Sequence, residues 1–200
     1  MLNVVDVVTG YSRRRAVQNR AQATVFQALE YLLADWPMKY WGIHSDNGSE
    51  FLSNHLRRFC AKEKLSFTRS RPYKKNDNAH VEQKNRQYVR EVVGYKRYET
   101  LQDVLWLNAV YSCLDDYANW FLPMRKVISK TRVEGKVRKR YDVARAPFRR
   151  LIDAGVLDAR AIAKIQAAMD ATDPLLLHNQ LEKLIQGGPD RYTHVDNSTG

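Results

Sequence analysis

The stretch "YWGIHSDNGSEF", residues 40–51, joins a short apolar run to a polar turn. The apolar part predicts a buried strand, and Asp46 follows at the carboxyl end of that strand. Asn47 and Gly48 come next and are suited to the turn. Because ligands and catalytic groups of open α/β sheets gather at the carboxyl ends of strands, Asp46 is a candidate functional residue. The alternative is a structural aspartate that caps the turn or the next helix.

The chain on either side of this stretch alternates between strand-like and helix-like patterns. A β-branched run that ends at Thr9-Gly10 predicts a hairpin, and apolar residues at helical spacing predict several helices. The predicted elements are a hairpin over 2–19, helix 21–34, strand 38–43, helix 55–64, strand 65–70, helix 79–94, and helices near 101–121, 158–171 and 174–186. This order predicts an α/β fold.

Basic residues exceed acidic ones, and they are concentrated in one segment. The chain carries 33 Lys and Arg against 22 Asp and Glu, and Arg125 to Arg150 holds eleven basic residues and two acids. A charge of this sign favours binding to polyanions, of which nucleic acid is the first candidate and an acidic membrane surface the second. The densest cluster is predicted to contact the DNA backbone without reading bases, or else to be a solvated face. Its members are Lys136, Arg138, Lys139 and Arg140.

A second carboxylate, Glu82, opens a predicted helix one strand after Asp46 and can face it. Paired carboxylates provide the hard oxygen ligands that suit Mg²⁺ or Mn²⁺. Two such ions clamp the attacking and leaving oxygens of a phosphoryl transfer. Basic side chains nearby are expected to hold the phosphates of DNA. These side chains are Lys74, Lys75, Lys84 and Arg86.

The spacing and the flanking residues resemble a known family. Asp46 and Glu82 are separated by 35 residues, and "HSDNGSEF" is followed by "SRPYKKNDNAHVEQKNRQYVR" at residues 70–90. Together they resemble the integrase catalytic core of retroviral integrases and DDE transposases, above all the transposases of bacterial insertion sequences. The resemblance covers roughly residues 2–148. It implies a ribonuclease-H-like mixed sheet with flanking helices, and a site in which Asp46 is the second metal ligand and Glu82 the third.

The same resemblance implies a function in DNA transposition or integration, by metal-dependent strand cleavage and transfer with two Mg²⁺ (or Mn²⁺) ions. The family's first carboxylate lies on a strand that precedes the hairpin, whereas residues 2–12 resemble the second strand. We therefore expect this core to lack its first strand, which is normally central in the sheet. An alternative keeps Asp6 as the first ligand, with 39 residues between it and Asp46. The alternative function is a catalytically inactive, DNA-binding remnant of a transposase.

The expected organisation has four parts. The predicted core covers residues 1–122, a basic DNA-binding linker or small domain covers 123–150, C-terminal helices cover 151–188, and a flexible tail covers 189–200.

DNA is the expected partner, and the resemblance implies self-association or association with a full-length transposase. No apolar run approaches the roughly 20 residues of a membrane span, and no signal peptide is recognisable, so a cytoplasmic protein is expected. Cys60 and Cys113 are expected to be buried, reduced thiols.

Overall fold

The computed structural model describes residues 1–46, 54–71, 84–133 and 135–192. The strands are β1 (Leu2–Val5), β2 (Ser12–Arg15), β3 (Gly42–Ser45), β4 (Ser66–Arg69), β5 (Val127–Val133) and β6 (Lys136–Tyr141). The helices are α1 (Gln22–Ala34), α2 (Asn54–Lys62), α3 (a π-helical turn Arg86–Arg90 continued by Glu91–Val93), α4 (Leu101–Trp120), α5 (Pro147–Asp153), α6 (Ala159–Asp170) and α7 (Pro174–Gly187). The predicted mixed α/β class is confirmed.

The described strands form three two-stranded sheets. Strands β1 and β2 are antiparallel, as the predicted hairpin requires, with Leu2 opposite Arg15 and Val5 opposite Ser12. Strands β3 and β4 are parallel, with Gly42 opposite Ser66, and helix α2 makes the crossover between them. Strands β5 and β6 form an antiparallel hairpin within the basic segment. The structure therefore adds a strand pair that the sequence analysis did not predict.

Strand β3 begins at Gly42, four residues later than predicted, because pairing with β4 starts there. A Cβ atom at Gly42 would lie 2.0 Å from Ser66 Oγ and 2.6 Å from the Ser66 carbonyl oxygen. Only glycine permits that approach. The Ser66 N–H donates to the Trp41 carbonyl oxygen at 2.9 Å, and the Ser70 N–H donates to that of Ser45 at 2.9 Å. These bonds mark the two ends of the parallel pair.

Helix α1 packs one face against β1 and α2. Its buried residues Val25, Ala28, Leu29 and Leu32 follow helical spacing and meet Leu2, Leu56 and Cys60 in one apolar cluster. Ile43 of β3 and Phe67 of β4 pack against the same cluster. Burying a leucine or valine side chain contributes roughly 1.5–3 kcal/mol to the free energy of folding. This cluster therefore holds the β1–β2 pair and the β3–β4 pair to helix α1.

Side chains of helix α4 cover the outer edge of β2. The Ser12 N–H donates to Asn119 Oδ1 at 3.0 Å, the Arg14 N–H to Asp115 Oδ2 at 2.7 Å, and the Ala16 N–H to Asn108 Oδ1 at 2.9 Å. The three acceptors lie seven and four residues apart on one face of the helix. Alternate residues of β2 thus find side-chain partners where a neighbouring strand would otherwise stand.

A second apolar cluster joins α3, α4 and α7. Trp106, Val110 and Leu114 of α4 are buried with Tyr88 of α3 and Leu181 of α7. The Trp106 indole N–H donates to the Leu184 carbonyl oxygen at 2.7 Å. Helix α7, predicted as part of a C-terminal extension, therefore shares a core with α4.

Two predicted boundaries need correction. Helix α5 runs through the boundary placed after residue 150, because Phe148 and Leu151 are buried on the same short helix. Residues 189–192, predicted as part of a flexible tail, continue the fold: Pro189–Arg191 form a 3₁₀ turn, and the Gln102 side-chain amide donates to the Pro189 carbonyl oxygen at 3.3 Å.

Cys60 and Cys113 are buried free thiols, as predicted. In the described ranges, no helix is long and apolar enough to cross a membrane.

Candidate functional site

Asp46 lies directly after β3, at the carboxyl end of a strand in a parallel pair, and it is exposed. The strand before it is held in place by pairing with β4 and by Ile43, which packs into the core. This is the position that the sequence predicted for a functional carboxylate. Its proposed partner Glu82 lies outside the described residues, as do Asn47, Gly48, Lys74 and Lys75.

His44 stands two residues before Asp46 and is fixed by its neighbours on β4. Its Nδ1 lies 2.8 Å from Thr68 Oγ1, and its Nε2 lies 3.3 Å from Ser70 Oγ. The Ser70 hydroxyl also lies 3.3 Å from the Ser45 carbonyl oxygen, to which it donates. Both ring nitrogens therefore have hydroxyl partners, which suits a histidine that braces the end of the parallel pair.

A cavity of about 240 Å³ lies beside Asp46, between the β1–β2 pair and the β3–β4 pair. All of β1 and β3 line it, together with Asp6 and Asp46, which follow those strands. The remaining walls are lined by Leu29 and Leu33 of α1, by Trp36 and Tyr40 after that helix, and by Asn85 just before α3. The cavity thus lies between an antiparallel pair on one side and a parallel pair on the other.

Asp6, the alternative first ligand, is engaged in the turn of the first hairpin. Its Oδ2 accepts from the Thr9 N–H and from the Thr9 hydroxyl, both at 2.6 Å. Its own N–H donates to the Tyr11 carbonyl oxygen at 2.7 Å. This is the geometry of a turn-forming aspartate. One carboxylate oxygen is therefore already occupied by two donors.

Lys84, which the sequence analysis expects to hold a DNA phosphate, is buried. Its side chain is 5% exposed, and its ammonium group lies 4.5 Å from the centre of the Tyr88 ring. Burial, together with the charge of Arg14, lowers the pKa of Lys84 to about 8, while Asp115 acts in the opposite direction. A phosphate contact through this group does not fit the placement. Arg86, by contrast, is exposed on α3, with its Nε 3.4 Å from Glu91 Oε1.

Arg14 is a second buried cation in this region. Its guanidinium forms an ion pair with Asp115 and lies 4.6 Å from the centre of the same Tyr88 ring. It also donates to Ser12 Oγ at 3.0 Å. Burial raises the pKa of Asp115 to about 6, and the neighbouring Arg14 opposes that rise. The sequence analysis did not identify Arg14 as buried, because it lies in "SRRR", a pattern that is typical of an exposed basic segment.

The four basic residues predicted to bind DNA lie on β6, and every residue of that strand is exposed. Lys139 stands opposite Lys130, Arg138 opposite Thr131, and Arg140 opposite Ser129. Residues opposite each other point to the same face, and neighbours along a strand point to opposite faces. Lys136, Arg138 and Arg140 therefore share one face of the hairpin. Lys130, Arg132 and Lys139 share the other.

The base of this hairpin is held by ion pairs and hydrogen bonds. Arg150 Nη1 lies 2.6 Å from Asp142 Oδ2, and the Lys126 N–H donates to Asp142 Oδ1 at 2.6 Å. These contacts with Arg150 and Lys126 lower the pKa of Asp142 to about 2. The Lys126 ammonium donates to the Val7 carbonyl oxygen at 2.7 Å, which ties the hairpin to the β1–β2 turn. The exposed basic strand therefore projects from an anchored base.

Two asparagines beside the cavity were not singled out by the sequence analysis. The Asn3 side-chain Nδ2 donates to Asn85 Oδ1 at 2.8 Å, across the junction of β1 and α3. The Asn3 Oδ1 is buried and has no hydrogen-bond partner among the described residues. A polar residue inside the β-branched run "LNVV" was the available sequence signal.

Comparison with known proteins yields a relative of undefined activity. The chain is 35% identical over 147 residues to an uncharacterized protein, y4rM, of Sinorhizobium fredii. The match takes in 74% of this chain and 42% of that protein, so the chain spans about two fifths of the relative's length. No family model matches the chain.

Proposed function

We propose that this chain is a DNA-binding protein of the DDE transposase and integrase type, built on a ribonuclease-H-like core. Its activity would be metal-dependent cleavage and transfer of DNA strands in transposition or integration. The observation that carries the proposal is the exposed Asp46 at the carboxyl end of β3, within a parallel β–α–β unit. The 35-residue spacing to Glu82 and the flanking motif support it.

Asp46 and Glu82 are the proposed ligands for Mg²⁺ or Mn²⁺, and carboxylate oxygens are the ligands those ions prefer. A divalent ion held there would polarise a phosphodiester and activate a water molecule or a 3′-hydroxyl group. Asp46 is exposed, so solvent reaches its side chain. In the described ranges, no group of three or more His, Cys, Asp or Glu residues converges on one point. The proposed ligand set therefore depends on Glu82, which lies outside those ranges.

The basic hairpin is the proposed DNA-contacting element. Lys130 and Lys139 stand directly opposite each other, an arrangement that is destabilising in a hairpin on its own. The ion pairs formed between described residues do not include the six basic residues of the two faces. A polyanion would offset this repulsion, and a two-stranded ribbon is narrow enough to enter the major groove of DNA.

A second candidate function is DNA binding without catalysis. The engagement of Asp6 by Thr9 favours it, because that geometry leaves Asp6 poorly placed to serve as the first metal ligand. The two candidates share the DNA-binding hairpin and differ only in whether Asp46 acts on a bound phosphate. One pair of measurements separates them.

The test compares wild type with Asp46→Asn, using Glu30→Gln on the exposed side of α1 as the control. If the catalytic proposal holds, wild type and Glu30→Gln nick supercoiled plasmid with Mn²⁺, and Asp46→Asn does not. DNA affinity at fixed salt should be unchanged or higher in Asp46→Asn, because a carboxylate near phosphates is removed. Equal binding with no nicking by any of the three proteins would favour the second candidate. Failure of wild type itself to bind DNA would contradict both.

A further inference from the structure

The two faces of the basic hairpin differ in their chemistry. Strands β5 and β6 read "VISKTRV" and "KVRKRY", without an acidic residue, and the register assigns their side chains to one face or the other. On one face, Arg138 stands opposite Thr131, and Arg140 stands opposite Ser129. Guanidinium and hydroxyl groups donate hydrogen bonds to phosphate oxygens. This face therefore suits the backbone of a DNA duplex.

The other face combines cations with apolar side chains. The register places three cross-strand pairs on it: Tyr141 with Val127, Lys139 with Lys130, and Val137 with Arg132. Tyr141, Val127 and Val137 are all exposed. Phosphate oxygens offer no favourable contact to an exposed aromatic or aliphatic group, and exposed apolar patches mark binding surfaces. This face therefore suits a ligand that has apolar surface as well as negative charge.

Tyr141 is the side chain that identifies the ligand. Its side chain is 48% exposed, and in the described ranges no other aromatic ring and no cation is stacked on it. The exposed tyrosines Tyr31 and Tyr95 differ, because Arg15 and Arg90 lie 3.6 Å and 5.8 Å from the centres of their rings. Within the described chain, the Tyr141 ring therefore keeps a face on which a planar group can stack.

The spacing of this face matches a chain of nucleotides. Alternate residues of a strand lie about 6.7 Å apart on one face, and Tyr141 and Lys139 are one such step apart on β6. Lys130 stands beside Lys139 across the hairpin. Consecutive nucleotides of an extended single strand are separated by a similar step. One base can therefore stack on the ring while a neighbouring phosphate lies between the two lysines.

A duplex and a membrane surface fit this face less well than an unpaired strand. In a duplex the bases are stacked on each other, so their flat surfaces do not reach a side chain. A membrane surface is flat and would contact one face of the hairpin, leaving the cations of the other face without anionic partners. Basic surfaces with an open aromatic ring are the ordinary means of binding single-stranded nucleic acid.

We infer that the face carrying Tyr141, Lys139 and Lys130 binds unpaired DNA, with one base stacked on the Tyr141 ring and a phosphate between the two lysines. This inference rests on the proposed function and deepens it, because it names the substrate as DNA in which a duplex adjoins a single-stranded segment. The duplex lies against the face of Arg138 and Arg140. The site does not select a sequence, since every base has a flat surface that can stack.

The experiment measures binding of the full chain by fluorescence anisotropy at fixed salt. The ligands are an oligothymidine of about 12 nucleotides, an abasic strand of the same length, and a duplex. The abasic strand keeps every phosphate and lacks the bases. An oligouridine RNA of equal length and anionic phosphatidylglycerol vesicles test the other polyanions.

Three variants accompany wild type. Tyr141→Ile removes the ring and keeps a β-branched side chain opposite Val127, so the hairpin is retained. Tyr141→Phe keeps a ring that can stack. Tyr95→Ile removes an exposed tyrosine outside the hairpin and is the matched control.

If the inference is correct, wild type binds oligothymidine at least about fivefold more tightly than the abasic strand, because a base stacks on the ring. Tyr141→Ile should lose this difference while its affinities for the abasic strand and the duplex stay unchanged. A role of Tyr141 in the structure alone would instead lower all three affinities. Tyr141→Phe and Tyr95→Ile should behave like wild type.

Several outcomes would overturn the inference while wild type still binds the duplex. They are equal affinity of wild type for oligothymidine and the abasic strand, and an equal loss of affinity for all three ligands in Tyr141→Ile. Tighter, Tyr141-dependent binding of the RNA would assign the face to RNA. Tyr141-dependent binding of the vesicles, without base-dependent DNA binding, would assign it to a membrane surface. Failure of wild type to bind any DNA ligand would contradict the proposed function, and this inference with it.

Discussion

Two cations, Arg14 and Lys84, share one aromatic ring. The Arg14 guanidinium carbon lies 4.6 Å and the Lys84 Nζ 4.5 Å from the centre of the buried Tyr88 ring. Arg14 is balanced by Asp115, with which it forms an ion pair. The Lys84 ammonium group contacts the Tyr88 ring, and its Nζ lies 3.8 Å from Met124 Sδ, a weak acceptor. A charged lysine in such a place reduces stability, and the cost is released when it loses its proton.

We predict that this cost appears as a pH dependence. The pKa of Lys84 falls from 10.5 to about 8 on folding, so between these values the unfolded chain binds more protons. The free energy of unfolding should therefore rise as pH rises through this window, by about 3 kcal/mol at most from this group. Lys84→Met should be more stable than wild type at pH 7, and the difference should shrink towards pH 10.5.

The measurement is urea denaturation of wild type, Lys84→Met and Lys96→Met between pH 7 and pH 10. Lys96 is exposed, so its substitution should leave both stability and pH dependence close to those of wild type. A constant difference between wild type and Lys84→Met across this range would contradict the assigned burial of a charged lysine. Comparing variants also removes the contribution of tyrosines that titrate at high pH.

At the scale of elements, the hairpin of β5 and β6 combines an exposed strand β6 with like charges on both faces. One face carries Lys136, Arg138 and Arg140, and the other carries Lys130, Arg132 and Lys139. The hairpin base is anchored through Asp142, Arg150 and Lys126. If the hairpin binds DNA as proposed, changes to the exposed cations should alter DNA binding without altering the fold, because exposed charges contribute little to stability.

We predict that the triple variant with alanine at Lys136, Arg138 and Arg140 binds DNA more weakly than wild type, and by a similar factor on unrelated duplexes. The slope of log K against log salt should shrink by about 0.9 for each DNA phosphate that the variant no longer neutralises. The triple variant of Lys130, Arg132 and Lys139 tests the other face. A hairpin lying in a groove should bind more weakly in both variants, and one lying flat on the backbone in only one of them.

The control for this titration is a triple variant of Arg57, Arg58 and Lys62, three exposed cations on α2. It changes net charge by the same amount at a different place. An equal decrease of slope in the control would show that total charge, and not the hairpin, determines DNA binding. A weakening confined to one duplex would indicate base readout by the hairpin.

At the scale of the whole molecule, the C-terminal helix α7 completes the core that α4 begins. Leu181 is 5% exposed and belongs to the cluster of Trp106, Val110 and Leu114. We predict that Leu181→Ala lowers the free energy of unfolding by about 2–5 kcal/mol, as expected for a buried leucine that leaves a cavity. Unfolding should remain a single transition by circular dichroism and by tryptophan fluorescence, since Trp106 reports on the same cluster.

Leu176→Ala is the matched control, because Leu176 lies on the same helix and is 66% exposed. It should change stability by less than about 0.5 kcal/mol. If α7 were an independent appendage, Leu181→Ala would leave the main transition unchanged and would produce a second, earlier one. That result would restore the boundary predicted near residue 151.

Much of this organisation follows from local sequence patterns. Helical spacing of apolar residues located α1, α4, α6 and α7 to within a residue or two, and Thr9-Gly10 located the first hairpin. Asp46 was placed at a strand end because an apolar run stops before it. These features depend on neighbours along the chain, which a sequence displays directly.

Other features were decided by contacts between distant segments. The burial of Arg14 and Lys84 depends on Asp115 and Tyr88, and β2 is covered by helix side chains about a hundred residues away. The hairpin of β5 and β6 reads as a charged linker, since its pairing depends on register more than on apolar alternation. Composition determined that the chain is basic, and local pattern determined that Asp46 follows a strand. Tertiary structure decided which basic residues are exposed, because burial depends on partners that no local pattern identifies.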